Sequence, residues 1–155
     1  MKLDRIAPFL GLALAALASS AAGSANGCGI APYGTGLGGA NPGHLYSSST
    51  PAPGSTLVFE MDSFTPDPSF GPGMGVLIVS ASPASVPLLG GTLLVDLGST
   101  LLTQQVLYDI YAQTFVSVPA NPALAGVTVY SQVGLFFPFS LGWAFSNGLA
   151  VALCP

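Results

Sequence analysis

The sequence predicts an all-β fold: an antiparallel β-sandwich of about eight strands, jelly-roll-like, that follows an N-terminal signal peptide and has its ends joined by a disulfide. Two observations support this prediction. Short segments rich in β-branched and aromatic residues recur at intervals of roughly 8 to 14 residues, as the strands of a sandwich do. Beyond the leader, no segment has the length and apolar period of a long helix, and the 20 glycines and 14 prolines supply turns.

The first 24 residues have the pattern of a secretory signal peptide. Lys2 and Arg5 form a basic start, residues 6–18 are apolar, and small residues follow. The apolar stretch is shorter than a bilayer span. A lipid-anchored form would use Cys28, but the position three residues earlier is Ala25 rather than a leucine-like residue. We therefore expect a mature chain without a transmembrane span that is secreted or held at the cell surface.

The charges of the chain restrict its partners. Lysine and arginine occur only in the leader, at positions 2 and 5, so the predicted mature chain contains neither. Proteins neutralise nucleic-acid phosphates with these residues, and use them to bind anionic membranes and phosphorylated ligands. The composition therefore excludes nucleic acid as a partner and disfavours the other two classes.

The chain has two cysteines, Cys28 at the start of the predicted mature chain and Cys154 one residue from its end. Cysteines of exported proteins ordinarily pair. On the chain-entropy model, a bridge that closes a loop of this length contributes roughly 5 kcal/mol to stability. We expect a Cys28–Cys154 disulfide, with Cys28 beside the last strand; two separate thiols are the alternative.

The mature chain divides into two parts. Residues 25–54 are rich in Gly, Pro and Ser, which indicates an entry segment with one short edge strand at 44–47. Residues 55–155 are assigned to the core of the sandwich.

Three segments in the first half of the core are predicted as strands. STLVFEMD (55–62) and TLLVDLGS (92–99) alternate with period two, as half-buried strands do. GMGVLIVSAS (73–82) is apolar on both faces, which is typical of a central strand. The residues predicted to face the core in the two alternating segments are Leu57, Phe59, Met61, Leu93, Val95 and Leu97.

The second half of the core follows the same logic. Residues 104–118 contain β-branched and aromatic residues without a helical period and are predicted to form one long strand. One helical turn is expected at 121–125, stopped by Gly126, and a strand at 127–133. Asn-Gly within 146–148 predicts a hairpin between the last two strands.

Four motifs in this order resemble an uncharacterised family of small secreted bacterial domains. They are the start at Cys28, the pair Tyr33-Gly34, the Pro-x-x-Pro-x-Leu-x-Gly turn at 119–126 and Ser-Asn-x-Leu at 146–149. The resemblance spans nearly the whole mature chain. It implies an exported β-sandwich, and it brings neither an agreed activity nor catalytic residues. The chain lacks internal cysteines that are common in related sequences.

Enzymatic chemistry finds little support in the sequence. Nucleophilic catalysis needs a base beside the nucleophile. His44 is the single histidine, in a Pro-Gly-His turn, and the sequence has no Gly-x-Ser-x-Gly motif. Zinc requires three or four His, Cys or carboxylate ligands, which the chain does not supply once both cysteines are paired. We therefore predict that the protein is not an enzyme and has no bound cofactor.

The carboxylates Glu60 and Asp62 project from one face of a predicted strand, and Asp67 follows in a turn. The solvent face of a strand ordinarily carries its polar residues, and this interpretation is favoured. A weak calcium site built on these three acids is the alternative. The predicted mature chain has five acidic residues and no Lys or Arg, so its carboxylates repel one another, and a bound cation would relieve that repulsion. A pair of carboxylates hydrolysing a glycoside is a more remote alternative.

Three aromatic residues, Tyr108, Tyr130 and Trp143, are candidate ligand contacts, because aromatic rings exposed on a sheet stack on sugar rings. Tyr108 and Tyr111 are predicted on opposite faces of one strand. Core packing is favoured for Trp143, which lies among apolar residues at core spacing, and a sugar-binding platform is the alternative.

The strands also lack the lysines that usually protect sheet edges from pairing. Such a surface favours association with the protein itself or with other envelope or extracellular proteins. The sequence therefore predicts a non-enzymatic, structural, adhesive or surface-associating β-sandwich. The alternative is an extracellular carbohydrate-binding module, with or without calcium.

Overall fold

The structure, a computed structural model, describes residues 27–36, 43–63, 73–108, 111–138 and 142–155. The predicted signal peptide and Asp67 lie outside these ranges. Within them the chain forms eleven strands, and 3-10 turns at Leu97–Ser99 and Pro122–Leu124. The strands are β1 (Gly29–Tyr33), β2 (Gly43–Tyr46), β3 (Thr56–Ser63), β4 (Gly73–Ser80), β5 (Pro83–Leu88), β6 (Gly91–Val95), β7 (Thr100–Tyr108), β8 (Tyr111–Ser117), β9 (Thr128–Phe137), β10 (Gly142–Phe145) and β11 (Gly148–Ala152).

The described strands form two sheets and a separate hairpin, all antiparallel. The large sheet has the order β1-β11-β9-β4-β7, with β10 also paired to β9, and the small sheet has the order β2-β3-β8. Strands β5 and β6 pair only with each other. The predicted antiparallel sandwich is confirmed. The strand number exceeds about eight because the strand predicted at 104–118 is divided into β7 and β8, and because β1 and β5 were not among the predicted strands.

The core lies between the two sheets. Leu57, Phe59 and Met61 of β3 are buried there, as the alternation of that strand predicts, and they join Leu77 of β4 and Leu135 of β9 in one cluster. Contact between side chains of both sheets makes this a two-layer fold, in which each sheet keeps one outer face.

The outer face of the large sheet is partly covered by the β5–β6 hairpin. Leu93 and Val95 of β6 form a second apolar cluster with Phe145 of β10. The inward positions of Leu93 and Val95 are therefore confirmed, although they pack outside the main core. Leu97 is not inward: it lies exposed in a 3-10 turn, because the Asp96 side chain accepts a hydrogen bond from Gly98 N (2.9 Å) and ends the strand.

Strand β4 is central, as predicted, but it is not buried on both faces. It pairs with β7 on one side and β9 on the other. Met74 and Val76 are exposed on the outer face. The hairpin covers only part of that face, so an apolar side chain alone does not show that something covers it.

The long strand predicted at 104–118 is wrong as a single element. Strand β7 ends at Tyr108 in the large sheet, and β8 begins at Tyr111 in the small sheet. Tyr108 and Tyr111 therefore lie in different sheets and do not share a strand. Nothing in the periodicity of this run marks the change of sheet.

The predicted Asn-Gly hairpin is also wrong. Strands β10 and β11 do not pair with each other; both pair with β9. Phe145 is opposite Gly134 and Leu149 is opposite Ser131, so a step of four residues (145 to 149) faces a step of three (134 to 131). The extra residue is the signature of a β-bulge. Residues 146–148 thus bend one long strand instead of reversing the chain.

The two ends of the described chain meet as predicted. Cys28 and Cys154 form a disulfide with a Cα–Cα distance of 4.6 Å. Strand β1 pairs with β11, the last strand, with Gly29 opposite Ala152. The predicted helical turn is present as Pro122–Leu124, stopped by Gly126 at φ 78°.

Candidate functional site

Gln132 holds the β5–β6 hairpin against the outer face of the large sheet. Its side chain projects from β9 to the outer face and is fully buried. The amide oxygen accepts from Leu94 N (2.8 Å), and the amide nitrogen donates to Thr92 O (2.9 Å) and Ser146 O (2.9 Å). This amide therefore holds β6 over the part of the outer face around Gln132 and Ser146, while Trp143, Met74 and Leu107 on the same face stay exposed.

The exposed part of this face carries a row of apolar side chains, one from each of four neighbouring strands. The registers place Trp143 (β10) opposite Phe136 (β9), Phe136 opposite Met74 (β4), and Met74 opposite Leu107 (β7). Directly opposed residues of antiparallel strands point to the same face. We call Trp143, Phe136, Met74 and Leu107 the apolar row.

The apolar row is open to solvent. Trp143 is 44 %, Met74 48 % and Leu107 72 % exposed, and Val76, two residues along β4, is 42 % exposed. The rings of Phe136 and Trp143 lie 5.0 Å apart at 44°. An exposed apolar surface that is continuous across strands typically marks an interaction site.

Core packing of Trp143, the interpretation favoured by the sequence, is wrong. The next residue, Ala144, occupies the core instead and is buried. Successive side chains of a strand point to opposite faces, so Trp143 must point outward. The sequence could not decide between the two because both neighbouring positions are apolar.

The outer face of the small sheet has a different chemistry. There Glu60 lies between Tyr46 and Gln113, and Asp62 lies between His44 and Tyr111. We call these six residues the acidic face. Their arrangement confirms that Glu60 and Asp62 share one face of β3, opposite the core residues of that strand.

Hydrogen bonds order the Glu60 carboxylate. Its Oε1 accepts from Ser48 Oγ (3.3 Å) and Gln113 Nε2 (3.4 Å). The pKa of Tyr46 and the pKa of Tyr111 are both raised, by desolvation first and then by the neighbouring Glu60 carboxylate. Both phenols therefore keep their protons near neutral pH and can donate hydrogen bonds.

Asp62 is the second carboxylate of the acidic face. Its Oδ1 lies 4.0 Å from His44 Nδ1, at the long limit for an ion pair if the imidazole is protonated. The rings of His44 and Tyr46 stack at 5.8 Å. Within the described ranges, no group of three or more His, Cys, Asp or Glu residues is placed to hold a metal ion. The third calcium candidate, Asp67, lies outside those ranges.

The three candidate aromatics do not form one platform. Tyr130 is six residues before Phe136 on β9, about 20 Å away along the strand. It packs edge-on against Tyr33 with ring centroids 5.6 Å apart, beside the β5–β6 hairpin. Tyr108 ends β7, and its side chain lies outside the described structure. Trp143 alone of the three is shown to be exposed.

Several residues of these surfaces escaped the sequence analysis. Met74, Val76 and Leu107 were predicted to lie in strands but not assigned to a face, and Tyr46 and Gln113 were not singled out. Only the strand register brings them together. The alternation of β3, which places Glu60 outward, was the one sequence signal that could have identified the acidic face.

Comparison with protein-family models, with curated proteins and with solved structures finds no match to this chain. The resemblance to a family of secreted domains therefore stays a prediction. In the part of the chain that the structure describes, no helix is long and apolar enough to cross a membrane.

Proposed function

We propose that this protein is an exported, non-enzymatic β-sandwich that acts by surface contact, in a structural or adhesive role, and that the apolar row is its contact surface. One observation carries the proposal: Trp143, Met74 and Leu107 are exposed in one row of opposed residues that crosses β10, β9, β4 and β7. The composition supports a surface that binds by apolar contact rather than by recognising anionic ligands, because Lys and Arg occur only at positions 2 and 5.

The row suits contact rather than chemistry. None of its four side chains titrates, so it cannot supply an acid or a base. The residues are fixed on paired strands, and little conformational entropy is lost when they dock. Burying a fully exposed large apolar side chain is worth about 1.5–3 kcal/mol, so each half-exposed member contributes roughly 1 kcal/mol.

One copy of the apolar row binds weakly, whereas many copies that bind at once bind strongly. The three exposed side chains, at roughly 1 kcal/mol each, correspond to binding in the millimolar range, and Phe136, which is more buried, adds less. Adhesion by many copies at once multiplies this affinity. The proposal therefore concerns proteins displayed at high local density, in the envelope or in a matrix.

The test is adsorption of the purified protein to octyl-coated beads at physiological salt. Met74→Ser and Trp143→Ser should each weaken adsorption about fivefold, the equivalent of roughly 1 kcal/mol. Leu97→Ser is the matched control, because Leu97 is 56 % exposed but lies outside the row. Equal losses for all three variants, or no loss at all, would contradict the proposal.

A second candidate function is glycan binding on the acidic face. The observation that favours it is the arrangement of Tyr46, Tyr111 and Gln113 around Glu60, which combines aromatic rings with hydrogen-bonding groups on a flat sheet. Half-exposed Tyr111 supplies a ring for stacking.

This candidate is tested by calorimetric titration against a panel of soluble oligosaccharides. Tyr111→Ala should abolish binding, while Trp143→Ala should leave it unchanged. The titration is repeated with a chelator to detect a calcium requirement. Retained binding in Tyr111→Ala, or no binding to any sugar of the panel by the unmodified protein, would eliminate the acidic face as a glycan site.

A further inference from the structure

Strand β7 is an edge strand with little of the usual protection: its register with β4 is regular from Leu102 to Tyr108 and shifts only at its start, between Val79 and Ser80 of β4. In the described sheets, β7 pairs only with β4, so one side of its backbone has no strand partner. It spans nine residues, TLLTQQVLY, without proline, glycine or charge. Native edges are ordinarily short, bent by β-bulges, or guarded by proline and charged side chains, because an open edge pairs readily with another strand.

The other edges of the two sheets are better guarded. Strand β1 contains Pro32, and β2 and β10, which pairs only with β9, have four residues each. Strand β8 has seven residues and lies directly beside the carboxylates Glu60 and Asp62 of β3. β7 is thus the longest edge and the one most open to pairing.

The polarity of β7 is palindromic about its central residue, Gln104. If a second copy runs antiparallel with Gln104 opposite Gln104, every apolar residue between the ends meets an apolar residue and every polar residue meets a polar one. The pairs are Leu101–Leu107, Leu102–Val106, Thr103–Gln105 and Gln104–Gln104. A two-fold interface requires this self-complementarity, because the same patch serves both copies.

Neighbouring registers lack this match. Opposed residues must point to the same face, so the centre of symmetry can move only by whole residues. Centring on Thr103 pairs Leu102 with Gln104, and centring on Gln105 pairs Thr103 with Leu107. Each shift places amides or hydroxyls against aliphatic side chains.

We propose that two copies of this chain associate through β7, antiparallel and two-fold symmetric, with Gln104 on the symmetry axis. The pairing joins two large sheets into one continuous sheet and satisfies the open backbone groups of both edges. On the outer face it places Leu101 of the second copy beside Leu107, the most exposed large apolar residue described (72 %). This proposal does not depend on the contact role of the apolar row.

Cysteine cross-linking tests the register. Gln104→Cys should form an intermolecular disulfide on mild oxidation, because the two Cβ atoms lie about 5 Å apart across the axis. Thr103→Cys alone should not, since its nearest copy is a diagonal neighbour at about 7–8 Å, whereas the double variant Thr103→Cys/Gln105→Cys should form two links. In an antiparallel ladder, hydrogen-bonded pairs alternate with non-hydrogen-bonded pairs, whose Cα atoms are closer. One of the two variants expected to cross-link, Gln104→Cys or the double variant, therefore places its cysteines at a closer pair.

Gln113→Cys, on the edge of the small sheet, is the control for random cross-linking. Both native cysteines are paired with each other, so the introduced thiol is the only one available. Cross-linking of Gln113→Cys but not of Gln104→Cys would assign the contact to β8 and overturn the proposal. Equal cross-linking of all single variants would also overturn it.

Sedimentation equilibrium supplies a test without oxidation. The unmodified protein should show a monomer–dimer equilibrium, and Gln104→Glu should raise its dissociation constant about tenfold at pH 8, because two carboxylates then face each other. Lowering the pH below about 4 should restore the dimer as they protonate. Gln105→Glu, whose carboxylates are only diagonal neighbours, should change the constant much less.

A protein that stays monomeric up to about 1 mM has no such association stronger than about 4 kcal/mol, and that result would refute the dimer. Equal effects of Gln104→Glu and Gln105→Glu would refute the register. Circular dichroism confirms that each variant keeps its strand content.

Discussion

Replacing Gln132 by leucine tests how the β5–β6 hairpin is held to the large sheet. Leucine is close to glutamine in size and apolar, so the substitution fills the site but removes the amide. Three backbone groups then lose a hydrogen-bond partner: the N–H of Leu94 and the carbonyls of Thr92 and Ser146. Two of these bonds, those of Leu94 and Ser146, are buried.

The magnitude follows from that burial. A buried polar group that loses its partner costs about 1–3 kcal/mol, and a partly buried one costs less because water can replace the partner. The sum for Gln132→Leu is about 3–5 kcal/mol. The total stability of a domain is about 5–15 kcal/mol, so the variant should still fold but with a clearly lower midpoint in urea.

The assay is urea unfolding followed by circular dichroism, combined with hydrogen exchange of the β6 amides. Gln113→Leu is the matched control: Gln113 is exposed, and its loss should change the free energy of unfolding by about 0.5 kcal/mol or less. In Gln132→Leu, hydrogen exchange of the β6 amides should also become faster than in the unmodified protein, and faster than that of the β9 amides. A cost below about 1 kcal/mol, or unchanged β6 exchange, would falsify the role given to this amide.

Three further predictions follow from the same structure. Burial raises the pKa of Tyr33, whose hydroxyl donates to Leu94 O (2.7 Å). The free energy of unfolding should therefore be constant below about pH 10 and fall above it, by less than about 1.4 kcal/mol per pH unit because the ring is partly solvated. In urea unfolding at alkaline pH, Tyr33→Phe should flatten this fall. Replacing Cys28 and Cys154 by serine should lower the free energy of unfolding by roughly 5 kcal/mol, and a loss below about 2 kcal/mol would contradict the entropic account. Leu89 has φ 50° in the β5–β6 turn, so Leu89→Gly should stabilise the protein by about 1 kcal/mol in thermal unfolding; destabilisation would show that this turn is not strained.

The sequence predicts the fold best where polarity differs between the two faces of a strand. Strand β3 alternates between Leu57, Phe59 and Met61 on one side and the carboxylates Glu60 and Asp62 on the other, and the structure confirms it. The disulfide was predictable for a different reason, since the chain offers one possible pair. Both inferences use information contained in the residues themselves.

The sequence fails where polarity gives no contrast. In β4 and β10 nearly every residue is apolar, so Met74 and Trp143 look like core residues although they face solvent. What covers a strand depends on other segments, here the β5–β6 hairpin. The exposed row could therefore be recognised only once the strand register was known.

The bulge at residues 146–148 shows how long-range contacts override a local turn signal. A hairpin at Asn147-Gly148 would form backbone hydrogen bonds only between the two short strands beside it, β10 and β11. In the bulge, Ser146 Oγ accepts from Val133 N (2.9 Å), and Ser146 O is released to bind Gln132. The bulge is therefore coupled to the amide that holds the hairpin.

Asn147 makes the corresponding contact toward the other layer. Its side chain accepts from Leu45 N (2.8 Å) and donates to Leu45 O (2.9 Å), as a neighbouring strand would. Two amide side chains beside one bulge thus act as substitutes for backbone: Gln132 binds β6 on one side of the sheet, and Asn147 binds β2 on the other. In a chain without lysine or arginine beyond position 5, these neutral amides join the layers of the fold where other proteins use ion pairs, and since they do not titrate, these joints should hold at any pH at which the protein is folded.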